Sequence, residues 1–184
     1  PFVLTLNQLQ VLNEIKVDLT SNNRMLRLLQ GDVGSGKTVV AFYAILTAIE
    51  AGYQTAFMAP TEILAKQHFQ TLEPLAKVAG LNIDILTGKK KSKEKAQIIE
   101  RLRSGGTDLL IGTHALFQAG ISFNKLGFAV VDEQHKFGVH QRLALSEKGE
   151  GVDILIMTAT PIPRTLSMTA YGDLDVSILN SKLP

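Results

Sequence analysis

The segment that most restricts what this chain can fold into is Gly31-Asp32-Val33-Gly34-Ser35-Gly36-Lys37-Thr38. It follows the apolar run Met25–Gln30 and leads into Val39–Ala51, which is apolar nearly all round. Gly-x4-Gly-Lys-Thr between a strand and a helix is the spacing of a phosphate-binding loop. A polyphosphate packed against backbone leaves no room for side chains, and such a turn needs positive φ at some positions. Gly31, Gly34 and Gly36 meet that need, with Asp32 and Ser35 completing the loop. The helix that follows offers unpaired N–H groups and the positive end of its dipole to anionic oxygens. Lys37 adds a full charge near the β- and γ-phosphates, and the Thr38 hydroxyl is placed to ligate Mg²⁺. ATP with Mg²⁺ is the expected ligand.

Elsewhere, apolar runs of strand length alternate with longer segments of helical period. That alternation predicts βαβ units: an α/β fold with a mostly parallel central sheet and helices on both faces. Strands are expected near Met25–Gln30, Thr55–Ala59, Ile83–Leu86, Leu109–Gly112, Phe128–Val131, Ile154–Met157 and Val176–Leu179. Most are continuously apolar, as strands buried on both faces should be. Helices are expected at Gln8–Asp18, Lys37–Ala51, Ile63–Ala79, Lys93–Arg103, in a piece after His135, and at Arg164–Ala170. At 184 residues and 45% hydrophobic content, a single domain over 1–184 is the simplest organisation. The opening proline and the closing Ser181-Lys182-Leu183-Pro184 suggest a piece of a longer protein.

A second chemical signal is Phe128-Ala129-Val130-Val131-Asp132-Glu133-Gln134-His135, where an apolar strand runs into adjacent carboxylates. Ligands of open α/β sheets bind at the carboxyl ends of strands, so Asp132 and Glu133 should emerge beside the nucleotide. Asp132 suits a Mg²⁺-holding acid, and Glu133 suits the group that orients the attacking water. An Asp-Glu pair alone is commonly a turn or a helix start; its combination with the phosphate loop favours catalysis.

Asp132-Glu133-Gln134-His135 resembles motif II of the superfamily 2 helicases, and further motifs follow in that family's order. Phe2-x-Leu4-Thr5-x-x-Gln8 resembles the segment in which a glutamine reads the adenine edge. Ala59-Pro60-Thr61-Glu62, Thr87-Gly88 and Gly112-Thr113-His114 resemble strand-end nucleic-acid contacts, and Thr158-Ala159-Thr160 resembles the motif that couples nucleotide state to them. The wording of Lys136-Phe137-Gly138-Val139, Pro161-Ile162-Pro163-Arg164-Thr165 and Tyr171-Gly172-Asp173-Leu174-Asp175 resembles the bacterial ATP-dependent helicases of branched DNA. Motors of transcription-repair coupling factors are the near neighbours. The resemblance implies a RecA-like P-loop NTPase domain that hydrolyses ATP to move on duplex or branched DNA in the bacterial cytoplasm, in replication, recombination and repair. It implies that a second RecA-like domain, which supplies an arginine finger, and a wedge domain lie elsewhere in the polypeptide. It assigns His135 to coupling.

The residues leave several readings open. Pro60-Thr61, Thr87-Gly88 and Gly112-Thr113 each also fit an ordinary strand-to-helix turn, with Thr61 as an N-cap. Gln8 by default is an exposed polar residue, and Thr158 and Thr160 could simply satisfy local backbone. His68, His114 and His140 fit packing or surface positions. Lys89-Lys90-Lys91-Ser92-Lys93-Glu94-Lys95 fits a solvated helix entry or a phosphate contact. Nineteen Lys+Arg against 17 Asp+Glu give a formal +2, too mild to identify a polyanion partner by charge. No cysteine occurs, so thiolate metal sites and disulfides are excluded, and no run approaches a membrane span. A small-molecule P-loop kinase would share the loop but needs an acceptor pocket or lid. A non-catalytic ATP sensor would lack Glu133.

Overall fold

A computed structural model describes residues 3–132, 144–145, 147–161 and 174–180. In chain order these form α1 (Leu6–Leu19), β1 (Leu26–Gly31), α2 (Lys37–Glu50), β2 (Gln54–Met58), α3 (Glu62–Val78), β3 (Ile83–Leu86), α4 (Ser92–Arg103) and β4 (Leu109–Gly112). A 3-10 turn (His114–Phe117), β5 (Leu126–Asp132), β6 (Asp153–Thr158) and β7 (Asp175–Leu179) follow. Each expected strand is present with small shifts at its ends. The 3-10 turn is unforeseen, since one turn is too short to show a period. The expected helices after His135 and at Arg164–Ala170 lie outside the described residues.

The strands make one seven-stranded sheet in the order β3-β4-β2-β5-β6-β1-β7. Every neighbouring pair is parallel. Continuous apolar runs arise because central strands are covered on both faces: every residue of β2 and of β4 is buried. Alternate side chains of a strand point to opposite faces. Thus Leu29, Phe57, Val130 and Leu155 pack with Val11 and Ile15 of α1, Val40 and Ile45 of α2 and Leu72 of α3. Leu28, Ala56, Val131 and Ile156 pack on the other side with Ile98 and Leu102 of α4 and with Leu116. Helix α2 is apolar nearly all round because it sits deep in the first layer; Val40, Ala41 and Ile45 have no exposed surface.

Because all strands are parallel, the loops after β1, β2, β3, β4, β5 and β6 rise from one edge of the sheet. After β1 the chain crosses through α2 to β2, beyond β6 and β5, so β1 keeps β6 and β7 as neighbours. This change of direction opens the crevice in which nucleotides bind in such sheets. Helix α1 is fixed over β1 and β7 by Arg27, whose Nε donates to Asp18 at 2.7 Å and whose Nη1 donates to Ser177 Oγ at 2.9 Å. Ser177 Oγ in turn donates to Glu14.

Candidate nucleotide site and neighbouring turns

The loop after β1 needs its glycines for different reasons. Gly34 and Gly36 have φ of 82° and 84°, the left-handed region that L side chains avoid. Gly31 is demanded by close packing, because a Cβ there would stand 2.6 Å from Ser35 Oγ and 3.0 Å from Leu179 Cβ. Gly36 caps α2 without a side-chain hydrogen bond. The first N–H groups of α2 are therefore free of side-chain competition for an anion.

Lys37 folds back over the loop, its Nζ donating to Gly31 O at 2.6 Å and Asp32 O at 2.9 Å. Burial lowers its pKa, opposed by the negative charges of Asp132 and Asp32. The ammonium is thus held by carbonyls rather than by a carboxylate, partners that a phosphate oxygen can displace. Ser35 is 2% exposed, and its Oγ is the buried side-chain oxygen with no hydrogen-bond partner among the described residues.

Gln8 is not the exposed residue expected by default. It is 3% exposed and lies under the loop, its Oε1 accepting from Thr5 N at 2.9 Å and its Nε2 donating to Ser35 O at 3.3 Å. Thr5 Oγ1 accepts from Gln8 N, closing a capping box at the start of α1. Thr5 and Gln8 therefore carry the helix start to the loop.

Asp132 ends β5, beside β6, which separates it from β1. Its Oδ2 lies 2.5 Å from His68 Nε2 on α3, and the His68 ring packs on Phe57 of β2 with centroids 4.6 Å apart. His68 does pack, as expected, but it also holds the acid at the strand end, which was missed. The available signal was position: His68 shares the buried stripe of α3 with Ala65, Leu72 and Ala76, a face turned to the sheet. Thr38 and Asp132 offer hydroxyl and carboxylate oxygens, the hard donors that Mg²⁺ prefers, so the residues present fit the metal. The backbone cradle and uncapped helix fit a polyphosphate. Phe2, Glu133 and His135 lie outside the described residues.

Thr158 is 6% exposed, and its Oγ1 accepts from Thr160 N at 3.2 Å with Ala159 between. The local turn reading is therefore realised, one strand from the phosphate loop.

Of the turns expected to meet nucleic acid, Thr61 is exposed, and its Oγ1 accepts from Leu64 N as the N-cap of α3. Pro60 and Thr113 are half-buried, while Gly88 and His114 are exposed. Two of these residues are not exposed. Thr87 is 5% exposed, and Gly112 is buried where a Cβ would meet Leu86 O and Leu116 Cδ2, each at 2.7 Å. Gly112 is required by packing at the end of β4. The Gly88 N–H donates to Glu62 Oε1 at 2.7 Å, tying two of these turns together. Beside them Lys66, Gln70, Lys89, Lys90 and Lys91 line a groove of about 410 Å³.

A family model described as DEAD/DEAH box helicase matches residues 5–169. The chain is 55% identical over 180 residues to the ATP-dependent DNA helicase RecG of Streptococcus pneumoniae, covering 98% of this chain and 26% of that protein. It is 51% identical over 185 residues to RecG of Thermotoga maritima, covering 100% of this chain and 24% of that protein. The chain therefore spans about a quarter of the length of these curated relatives. Among solved structures, RecG bound to a three-way DNA junction matches with a TM-score of 0.83 and 47% identity, over 100% of this chain and 24% of that one. The helicase MrfA bound to DNA, 16% identical over 97% of this chain and 27% of that one, shares the fold at a TM-score of 0.71. These RecG relatives are bacterial helicases, as the wording of the motifs implied, and the sheet is that of a RecA-like domain. With phosphate loop and motif II acid on one sheet edge and the match running from residue 5 to residue 169, the chain belongs to the DEAD/DEAH box helicase family.

Proposed function

We propose that this chain is the ATP-hydrolysing motor lobe of a RecG-type helicase that remodels branched DNA in the bacterial cytoplasm, with Mg²⁺ as its cation. The observation that carries the reading is the shared edge: Lys37, Thr38 and Asp132 stand on the same side of the sheet as the exposed turns at Thr61, Gly88 and His114. Its RecG relatives support the choice of DNA, and the junction complex supports a branched substrate.

In this mechanism the loop amides and the start of α2 bind the β- and γ-phosphates, and Lys37 exchanges its carbonyl partners for phosphate oxygens. When bound, Mg²⁺ neutralises charge developing on the transferred phosphoryl group, held by Thr38 and Asp132. Glu133, the residue after the strand end, orients the attacking water. Phe2, Thr5 and Gln8 recognise adenine; a primary amide has two N–H groups, and Gln8 uses one on Ser35. Pro60, Thr61, Gly88, Thr113 and His114, with the neighbouring lysines, contact phosphates, which position a duplex without reading its sequence. His135, Thr158, Ala159 and Thr160 transmit the nucleotide state to that face. A second RecA-like lobe completes the site, and a wedge domain separates strands.

The test is ATP turnover by the whole polypeptide with and without a three-way junction. We expect stimulation by the junction, near-normal nucleotide binding in Glu133→Gln, and loss of its hydrolysis. Turnover indifferent to DNA would sink the motor reading, and unchanged turnover in the variant would remove Glu133 from its role.

A further inference from the structure

We propose that His68 is a positioning residue for the metal-holding acid: it fixes the Asp132 carboxylate in the orientation that receives Mg²⁺. The inference rests on the Mg²⁺ reading above. Its Nε2 stands 2.5 Å from Oδ2 of Asp132, which occupies one carboxylate oxygen and leaves Oδ1 for the cation. Both side chains are largely enclosed, at 14% and 21% exposure, so the contact is sheltered from competing water. Free rotation of an aspartate about its χ angles would spread its oxygens over several directions. A donor held on one oxygen removes that freedom, and residues of this kind sustain the affinity of many metal sites.

The histidine is itself held from behind. Its ring lies on Phe57, tilted by 43°, and Phe57, next to the end of β2, has no exposed surface. Helix α3 carries His68 between fixed points: Thr61 caps its first turn, and Ala65 and Leu72 bury its face on the sheet. The same helix begins at Glu62, which accepts from Gly88 N at 2.7 Å. One rigid element thus joins the exposed turns to the acid of the nucleotide site.

Packing on Phe57 and donation to Asp132 are separable by substitution. His68→Phe keeps an aromatic ring against Phe57 and removes the donor. His68→Gln removes the ring and keeps an N–H at similar reach. In the whole polypeptide, the affinity for a fluorescent ADP would be measured with excess Mg²⁺ and with EDTA, alongside kcat and KM for ATP. Wild-type protein should bind ADP more tightly with Mg²⁺. In His68→Phe that gain should shrink by about 10- to 100-fold while the EDTA value stays, and His68→Gln should restore it to within about threefold. If wild-type protein shows no gain with Mg²⁺, the metal reading fails. If it does, a full gain in His68→Phe, an equal loss in both variants, or an equal loss in EDTA each overturns the positioning role.

Discussion

Glycine stands at Gly31 and at Gly34 for unlike physical reasons, and substitution separates them. At Gly34 nothing lies within 4 Å of a built Cβ, and the demand is φ of +82°. At Gly31 the demand is space: a methyl group would press on Ser35 Oγ at 2.6 Å and on Leu179 Cβ at 3.0 Å. Leu179 belongs to β7, paired to β1 at this very register, so it cannot withdraw freely. Gly31→Ala is expected to cost about 1–3 kcal/mol, the usual range for overpacking. A urea midpoint equal to wild type would show that the neighbours yield. Motif spacing identified both glycines and the need for positive φ, but it did not foresee that Gly31 is demanded by packing against Ser35 and Leu179. Gln8 and His68 illustrate the opposite limit: their types and places were visible, while their partners, Ser35 and Asp132, lie 27 and 64 residues away in the chain.

At the scale of elements, the sheet is stitched together at the edge opposite the site. Asp153 opens β6, and its Oδ1 accepts from Met25 N at 2.7 Å just before β1 begins. Burial raises its pKa above the ordinary 3.8, against the pull of the Met25 N–H and the Arg24 charge. A folded pKa above the unfolded value means that folding disfavours the ionised form. That penalty is complete above the folded pKa and is relieved as pH falls through it towards 3.8. Asp153→Asn keeps the oxygen acceptor and removes the charge. We expect it to raise stability near neutral pH by under about 1 kcal/mol, since a half-solvated carboxylate is screened. It should also flatten the acid side of the stability profile. Denaturant midpoints of both proteins between about pH 4 and pH 7 would check this, and a variant less stable than wild type at neutral pH would contradict it. Element types were readable here because buried parallel strands give unbroken apolar runs. The 3-10 turn at His114–Phe117 was not, because a single turn carries no period.

For the whole molecule, the question is what completes the nucleotide site. The described arginines, Arg24, Arg27, Arg101 and Arg103, precede β1, sit at its start, or end α4. All lie towards the edge where strands begin, away from Lys37 and Asp132. An arginine finger contributes about 10³–10⁵ in rate to P-loop enzymes. On the proposed reading, in which a second lobe supplies the finger and DNA stimulates turnover, the chain alone is expected to release phosphate at least about a thousandfold more slowly than the whole polypeptide with DNA. Equal rates in a phosphate-release assay would show that this lobe is catalytically self-sufficient. The sequence by itself determined the α/β class, the phosphate loop and the acid at the end of β5, because periodicity, positive-φ glycines and motif spacing are local properties. Only the tertiary structure decided that β6 and β7 lie beside β1, that His68 meets Asp132, that Gln8 reaches Ser35, and that Thr87 and Gly112 are buried. Those outcomes follow from packing two helical layers onto one sheet, where contacts join residues that no local rule relates.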